Sequence, residues 1–469
     1  MKKTKFGTDG WRAVAGKDFT FGNLRRVIQA VTDYLRQSRP EGGKVLCGYD
    51  TRFMSEHFAA AAAEVCCANG FAAIVSETPL TTPALSYAVT VEKAACGLMI
   101  TASHNPFWFG GLKVKEGSGG SASRETTAGI EAMLGRSEAR SVPFSDATAR
   151  GLAVKKDIVG LYRRRLGELF DPSLLKNAPG PVLFDCMHGA SGVFLRDALA
   201  DVGLQAEIMR ERRDPYFGGM NPDPLPENLY GASERVRAEG FRAVFAFDGD
   251  GDRVGVLDED GRYLMPYQVM SLLITHLVKN RMMSGSVIKT VSSSSLIDRV
   301  SAEFGLKVRE VPVGFKHICG FLESGEALIG GEENGGFGFS CHIPERDGLI
   351  SALMLLEMTA VEGKTIKELL VELESKHGRV YHRRQDGIIN PARQDGILDE
   401  VAVGAEKVYR AYGVEDISRT DGLKVMMRDG SWVLFRASGT EPLLRIYSES
   451  KDPAIVEKLI SAGREAFLG

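Results

Sequence analysis

The sequence predicts an α/β protein: three consecutive α/β domains with mixed sheets, then a smaller α+β domain at the C-terminus. Three observations carry this. Short apolar runs alternate with helical patterns, and the alternation restarts twice along the chain. Polar, Gly-containing motifs follow apolar runs, where α/β sheets gather ligands at the carboxyl ends of strands. The tail instead reads strand, Asp-Gly turn, strand, loop, strand, helix.

In order, "KVLCGYD" (44–50), "FAAIVSE" (71–77) and "CGLMITA" (96–102) read as buried strands. "SEHFAAAAAEVCCANG" (55–70) reads as a helix stopped by Gly70, with Cys66 and Cys67 as small core residues. The rhythm restarts with "VKKDIVGLYRRRLGELF" (154–170), which has a helical pattern, then "PVLFDCMHGASG" (181–192) and "RAVFAFDGDGDR" (242–253), each a strand ending in a polar turn. A third unit runs from "YQVMSLLITHLV" (267–278) through "SVIKTVSSSSL" (286–296) to "RDGLISALMLLEMTA" (346–360). The antiparallel tail is "GLKVMMRDGSWVLFRASGTEPLLRIYSES" (422–450). These restarts put domains at 1–150, 151–255, 256–375 and 376–469.

Bulk properties narrow the function classes. Apolar residues at 44% and charged residues at 25% fit a globular chain with a sizeable core. A net charge of −3 gives no global field for nucleic acid. Seven scattered cysteines without a CxxC pair argue against a disulfide framework or a zinc site. There is no signal-peptide pattern and no uninterrupted apolar stretch of spanning length, so a cytoplasmic protein without membrane partners is expected.

Four loops carry chemistry. In "DGDGDR", Asp248, Asp250 and Asp252 follow the apolar "AVFAF". Carboxylates at this spacing repel one another unless a cation lies between them, and oxygen ligands beside phosphate chemistry suit Mg²⁺. An EF-hand fails here: Glu259 stands at loop position twelve, but Arg253 replaces the glycine required at position six. Arg253 is then available for a phosphate oxygen. "TASHNP" (101–106) puts Ser103 beside His104. This is either an activated nucleophile or a capped turn, and His104 is either a general base or a hydrogen-bond donor. In "GGEENGG" (330–336), Glu332, Glu333 and Asn334 suit vicinal sugar hydroxyls, although a plain Gly-rich loop has the same composition. "RASGTEP" (436–442) gathers Arg436, Ser438, the amides near Gly439, and Thr440 as donors for an anion, or forms an ordinary turn between strands.

These four motifs, in this order, resemble the α-D-phosphohexomutase family, which includes phosphoglucomutases and phosphomannomutases. The resemblance runs from "KFGTDGWR" (5–12) to "RASGTEPLLRIY" (436–447). It implies that the three α/β domains are related and that all four domains surround a central cleft. It implies Ser103 as a phosphoserine whose oxygen joins Asp248, Asp250 and Asp252 around Mg²⁺. Arg12 and Arg253 would face the transferring phosphoryl group. His104 and Lys113 would move a proton or stabilise charge. Glu332 and Asn334 would meet sugar hydroxyls, and Lys316 and Arg346 are further substrate-contact candidates. Arg436, Ser438, Gly439 and Thr440 would hold the phosphate that is not reacting. Two departures stand out: Asn334 replaces the family's usual Ser, and Gly110 replaces a frequent Asn.

The expected activity moves a phosphoryl group between C1 and C6 of a hexose phosphate, with glucose 1,6-bisphosphate or an equivalent as activator. "GEENGG" is nearer to the "GEESGG"-like loops of glucose-type members than to the "GEMSGH" of mannose-type or the "GEQSGH" of glucosamine-type members. Glucose phosphates are therefore the first expectation. Phosphomannomutase or dual activity comes next, then phosphoglucosamine mutase or a metal-dependent sugar phosphatase. The expected partner is a small sugar phosphate, on a monomer or homodimer.

Overall fold

The computed structural model describes residues 6–7, 10–394, 396–437 and 442–468. Four sheets organise it. In the first, the strands lie in the order Trp11–Val14, Phe109–Lys115, Cys96–Ile100, Gly43–Tyr49, Phe71–Ser76 and Ala153–Lys156. Gly43–Tyr49 pairs in parallel with both Phe71–Ser76 and Cys96–Ile100, so Asp50 and Thr101 leave the sheet at the same edge. Phe109–Lys115 runs back antiparallel beside Cys96–Ile100, which sets Lys113 across from Met99.

The second sheet is ordered Tyr263–Leu264, Val254–Asp258, Ala243–Phe247, Val182–Asp185, Glu207–Met209. The third is ordered Val308–Val311, Ser286–Thr290, Ala327–Gly331, Phe337–Phe339. Both mix parallel and antiparallel pairs. The fourth is antiparallel throughout: Tyr381–Ile388, Leu443–Ser450, Trp432–Ala437, Leu423–Met427, Val414–Ser418. The fold is thus three α/β/α units and a C-terminal α+β unit.

Residues 154–170 differ from the helix expected there. Ala153–Lys156 is an edge strand parallel to Phe71–Ser76, and the helix begins only at Val159. Backbone pairing at the sheet edge outcompetes local propensity, because Ala153 fills the core while Val154, Lys155 and Lys156 stay exposed. The Asp-Gly turn of the tail is present: the Met427 amide donates to Ser431, and Gly430 has φ +83°. Cys66 and Cys67 are buried on the helix Ser55–Ala68, as core residues.

Packing divides the molecule unevenly. One continuous apolar core includes Leu46 and Met99 of the first sheet, Phe184 and Phe245 of the second, and Ile329 with the helix residue Leu353 of the third unit. The C-terminal unit has its own core, around Val401, Phe435, Ile446 and Leu459. It meets the third unit through a small cluster of Val291, Trp432, Leu434 and Tyr447. Polar bonds rim that patch: Lys424 donates to the Val291 carbonyl at 3.0 Å, and the Val313 amide donates to Asp421 at 2.9 Å. Among the described residues no helix is long and apolar enough to cross a membrane.

The long helix Gly348–Glu362 of the third unit abuts the loop after Phe247, its first amide donating to the Gly251 carbonyl at 3.1 Å. A Cβ at Gly348 would stand 2.5 Å from the Arg253 carbonyl oxygen, closer than van der Waals contact permits. Gly348→Ala should therefore lower stability by about 1–3 kcal/mol through overpacking, read as a lower urea midpoint. An unchanged midpoint would mean that helix and loop do not depend on this close approach.

Candidate active site

The serine loop leaves the strand Cys96–Ile100 at the carboxyl edge of the first sheet. Ser103 has φ +52°, the left-handed region, which costs a non-glycine residue about 1–2 kcal/mol. Neighbouring groups hold it there. Its amide donates to Thr101 Oγ1 at 2.9 Å, and Thr101 Oγ1 donates to Asp50 Oδ2 at 2.7 Å. Asp50 also receives Arg52 Nε at 3.1 Å and Ser55 Oγ at 3.0 Å. The buried Arg52 guanidinium then donates to four carbonyls of the loop: Ser103 and Asn105 at 2.6 Å, Pro106 at 2.9 Å and Phe109 at 3.1 Å. One arginine thus fixes the curve of the whole turn. Burial pushes the Asp50 carboxyl up, and Arg52 pulls it back.

The acidic loop leaves the strand Ala243–Phe247. Asp248, Asp250 and Asp252 are fully buried, and one oxygen of each lies within 4.8 Å of the others. Gly249 lets the two loops touch: a Cβ there would stand 2.6 Å from the Ser103 carbonyl oxygen. Ser103 Oγ donates to Asp248 Oδ2 at 2.7 Å, while Asp248 Oδ1 receives the amides of Asp252 and Arg253. Burial first, then the charges of Asp250 and Asp252, raise the Asp248 carboxyl well above its ordinary range.

Cations cover one side of this cluster. Lys113 Nζ lies 2.8 Å from Asp250 Oδ2 and 2.6 Å from Asp252 Oδ2. Arg346 Nη2 donates to the same Asp252 oxygen at 2.7 Å, and Thr82 Oγ1 to Asp250 Oδ2 at 2.5 Å. Asp252 Oδ1 is buried and accepts no hydrogen bond. A buried carboxylate oxygen without a donor, beside two further carboxylates, fits a hard divalent cation.

His104 sits beside Ser103, with Nδ1 3.4 Å from Oγ. Burial, then the nearby Arg253 and Arg12 guanidinium groups, hold its pKa well below 6.5, so the ring is neutral near pH 7. Arg12, on the first strand, donates to Asn105 Oδ1 at 2.7 Å. Arg253 lies 3.6 Å from Asp223 Oδ1.

The loop between the strands Ala327–Gly331 and Phe337–Phe339 is a hairpin connection. Glu332 is buried and receives Arg346 Nη1 at 3.0 Å. Glu333 receives Thr290 Oγ1 at 3.2 Å and the Tyr447 hydroxyl at 3.4 Å. Asn334 Oδ1 accepts the Gly336 amide at 3.0 Å, so its Nδ2 is the half not used by that turn. Lys316 opens the helix Lys316–Glu323, next to Phe315, whose ring lies 5.4 Å from the Arg346 guanidinium carbon.

Arg436 is the penultimate residue of the strand Trp432–Ala437 and is held by Asp421, with Nη2 2.8 Å from Oδ2. It stands directly across from Arg445 on the neighbouring antiparallel strand. Arg445 Nε is buried and makes no hydrogen bond. Opposed like charges are unfavourable unless an anion joins them. Ser438, Gly439 and Thr440 lie outside the described residues.

The structure therefore brings Ser103, His104, Arg12, Lys113, the three aspartates, Arg253, Glu332 and Arg346 together. Arg436 stands apart from them in the C-terminal unit, and Lys316 borders the group through Phe315. Arg346 pairs with carboxylates of two loops, whereas the sequence reading made it a substrate contact. Sequence reasoning missed Asp50, Arg52, Thr82, Asp421 and Arg445. "GYDTR" (48–52) carried a usable signal, since a polar cluster directly after a buried strand is the logic that singled out "DGDGDR".

Comparisons with known proteins show the family. Phosphoglucomutase/phosphomannomutase α/β/α domains I, II and III match residues 3–141, 161–261 and 265–377, and the C-terminal domain of that family matches 389–466. A Thermococcus kodakarensis phosphoglucomutase/phosphomannomutase is 31% identical over 98% of this chain and 97% of its own. A Cereibacter sphaeroides phosphoglucosamine mutase is 28% identical over 99% of this chain and 100% of its own. The crystal structure of a Thermus thermophilus protein assigned as a phosphomannomutase superposes with a TM-score of 0.86, at 33% identity, covering 100% of this chain and 99% of that one. The chain belongs to the phosphoglucomutase/phosphomannomutase family, the α-D-phosphohexomutases, isomerases that transfer a phosphoryl group within one sugar phosphate.

Proposed function

We propose that the chain interconverts hexose 1- and 6-phosphates, glucose phosphates first, through phosphorylated Ser103. The observation that carries this is the contact between Ser103 Oγ and Asp248, at the edge of a buried three-carboxylate cluster. In the first half-reaction the Ser103 Oγ–P bond breaks while a sugar hydroxyl oxygen bonds to that phosphorus, giving a sugar bisphosphate. After the bisphosphate turns over, Ser103 Oγ takes the other phosphoryl group and the isomeric monophosphate leaves. The bisphosphate is both intermediate and activator.

Alignment and charge stabilisation dominate such transfers. Arg12 and Arg253 would face the equatorial oxygens. Lys113, or His104 beside Ser103, would move the hydroxyl proton, a role worth about 10²–10⁴-fold. Lys113 lies between Asp250 and Asp252, close enough to the cluster to stabilise charge as well. Mg²⁺, when held by Asp248, Asp250, Asp252 and an oxygen of phosphorylated Ser103, would neutralise charge on the transferring group. Arg436 with Ser438, Gly439 and Thr440, and Arg445 opposite, would hold the distal phosphate. Glu332 and Asn334 would contact the sugar, with Lys316 nearby.

Three measurements test this reading. Intact mass after incubation with glucose 1,6-bisphosphate should rise by one phosphoryl group, localised to Ser103. Ser103→Ala should show no gain and lose turnover by at least about 10⁴-fold; a variant with full turnover would end the phosphoserine reading.

Coupled assays on the 1-phosphates of glucose, mannose and glucosamine should rank glucose first. The similarities to a phosphoglucomutase/phosphomannomutase and to a phosphoglucosamine mutase make mannose, then the amino sugar, the next readings, and a higher kcat/KM for either would reverse the order.

Chelation should lower the melting temperature and Mg²⁺ restore it, because a ligand at a hundred times its Kd stabilises by about 2.7 kcal/mol. Asp252→Asn should abolish that response. A melting temperature indifferent to Mg²⁺ and EDTA would remove the cation from the proposal.

A further inference from the structure

Three consecutive residues, Glu345, Arg346 and Asp347, bond to three different parts of the molecule. Glu345 is fully buried and pairs with Lys115 of the first sheet, while Ser121 Oγ donates to its Oε2 at 2.7 Å. Lys115 lies on the strand Phe109–Lys115, two residues beyond Lys113. Asp347 caps the helix Gly348–Glu362, accepting the Ile350 amide at 2.9 Å. It also accepts the Tyr162 hydroxyl on both oxygens, at 2.9 and 2.8 Å, from the helix Val159–Leu169. Between them, Arg346 reaches Asp252 and Glu332, while its own amide donates to Glu345 Oε1 at 3.0 Å. All three side chains are buried. A flexible arginine is thereby tethered on both flanks.

We propose that Ser121 and Tyr162 are positioning residues for the acidic loop: by fixing Glu345 and Asp347 they set where Arg346 meets Asp252, and so fix the Asp252 carboxylate for a divalent cation. This rests on the reading of Asp248, Asp250 and Asp252 as cation ligands. The chemistry is that of an outer ligand shell. Arg346 and Lys113 occupy Asp252 Oδ2, which leaves Oδ1, without a hydrogen bond, as the oxygen to offer. If the guanidinium shifts, Lys113 alone holds Oδ2, the carboxylate is less constrained and the three-oxygen cluster loosens. The side-chain bonds of Ser121 and Tyr162 described above run to Glu345 and Asp347, one step removed from the acidic loop.

The choice of variants separates orientation from charge. Removing Arg346 would both free Asp252 and delete a competing cation, with opposite effects on cation affinity. Ser121→Ala and Tyr162→Phe change no formal charge and remove one hydroxyl each. Tyr267→Phe is the control: it also deletes one buried hydroxyl, whose bond at 3.1 Å goes to the Val380 carbonyl, away from the acidic loop.

The experiment titrates Mn²⁺ into each full-length protein, free of substrate and followed by electron paramagnetic resonance, with urea unfolding to confirm a cooperative fold. Outer-shell partners typically contribute 10–100-fold to metal affinity. Tyr162→Phe and Ser121→Ala should each weaken Mn²⁺ binding by about tenfold, while Tyr267→Phe matches wild type. Should one variant fail to fold, the other carries the test alone. Folded variants with wild-type affinity, or an equal loss in Tyr267→Phe, would overturn the inference while leaving the cation site intact. A wild-type protein that binds no Mn²⁺ would overturn the cation reading itself.

Discussion

Three carboxylates buried within 4.8 Å of one another are the constraint on which the rest of the site depends. At an effective dielectric constant of 20, unit charges 4 Å apart interact by about 4 kcal/mol, so three mutual repulsions are of the order of a whole domain's stability. The fold offsets them with Lys113 and Arg346, both on Asp252 Oδ2, and with the backbone amides at Asp248 Oδ1. Those partners are themselves buried, and a buried cation without its carboxylate is costly. The aspartates, Lys113 and Arg346 therefore stabilise one another as a set. Arg253, with Nε 3.9 Å from Asp252 Oδ1, adds a more distant third cation; burial first, then the charges of Asp250 and Asp252, still raise the Asp248 carboxyl, a penalty that a divalent ion would relieve.

This set also explains why the units pack as they do. Lys113 comes from the first unit, the aspartates from the second and Arg346 from the third, so the charge balance closes only when all three are docked. Their shared apolar core keeps them docked. The C-terminal unit is packed differently. It has its own core and meets the third unit through a small apolar cluster with a wider polar rim, in which Ser295 donates to Glu449, Lys424 to Glu310 and Tyr447 to Glu333. Under the proposed reaction the reacting phosphate lies in the rigid part and the distal phosphate in the separately packed part, the division a turning intermediate requires.

The legible parts of the sequence were those whose signal is local. "DGDGDR" and "TASHNP" each follow a buried apolar strand, and both loops leave sheets at carboxyl edges and touch. Edge strands were less legible. Tyr381–Ile388 and Val414–Ser418 flank the fourth sheet and carry residues such as Arg383, Arg384, Glu415 and Asp416, so apolar alternation is absent. Charge on an edge suppresses unwanted pairing and, with it, the pattern that marks a strand. The strand Ala153–Lys156 hid for the same reason. Supporting residues were the hardest to read. Arg52 acts on carbonyls up to 57 positions away, and Arg346 reaches Asp252 across 94. No spacing rule encodes such distances, because only the tertiary fold creates them.

The sugar loop shows how the structure changes a chemical argument made from composition. Glu332 and Glu333 looked like paired acceptors for sugar hydroxyls. In the fold, Glu332 accepts from Arg346, and Glu333 accepts from Thr290 and Tyr447. Much of their acceptor capacity is spent inside the protein. Asn334 accepts the Gly336 amide through its carbonyl, which keeps a second lone pair, and its NH₂ remains a donor. Position 334 therefore presents donor and acceptor alike, as a serine there would, from a longer side chain.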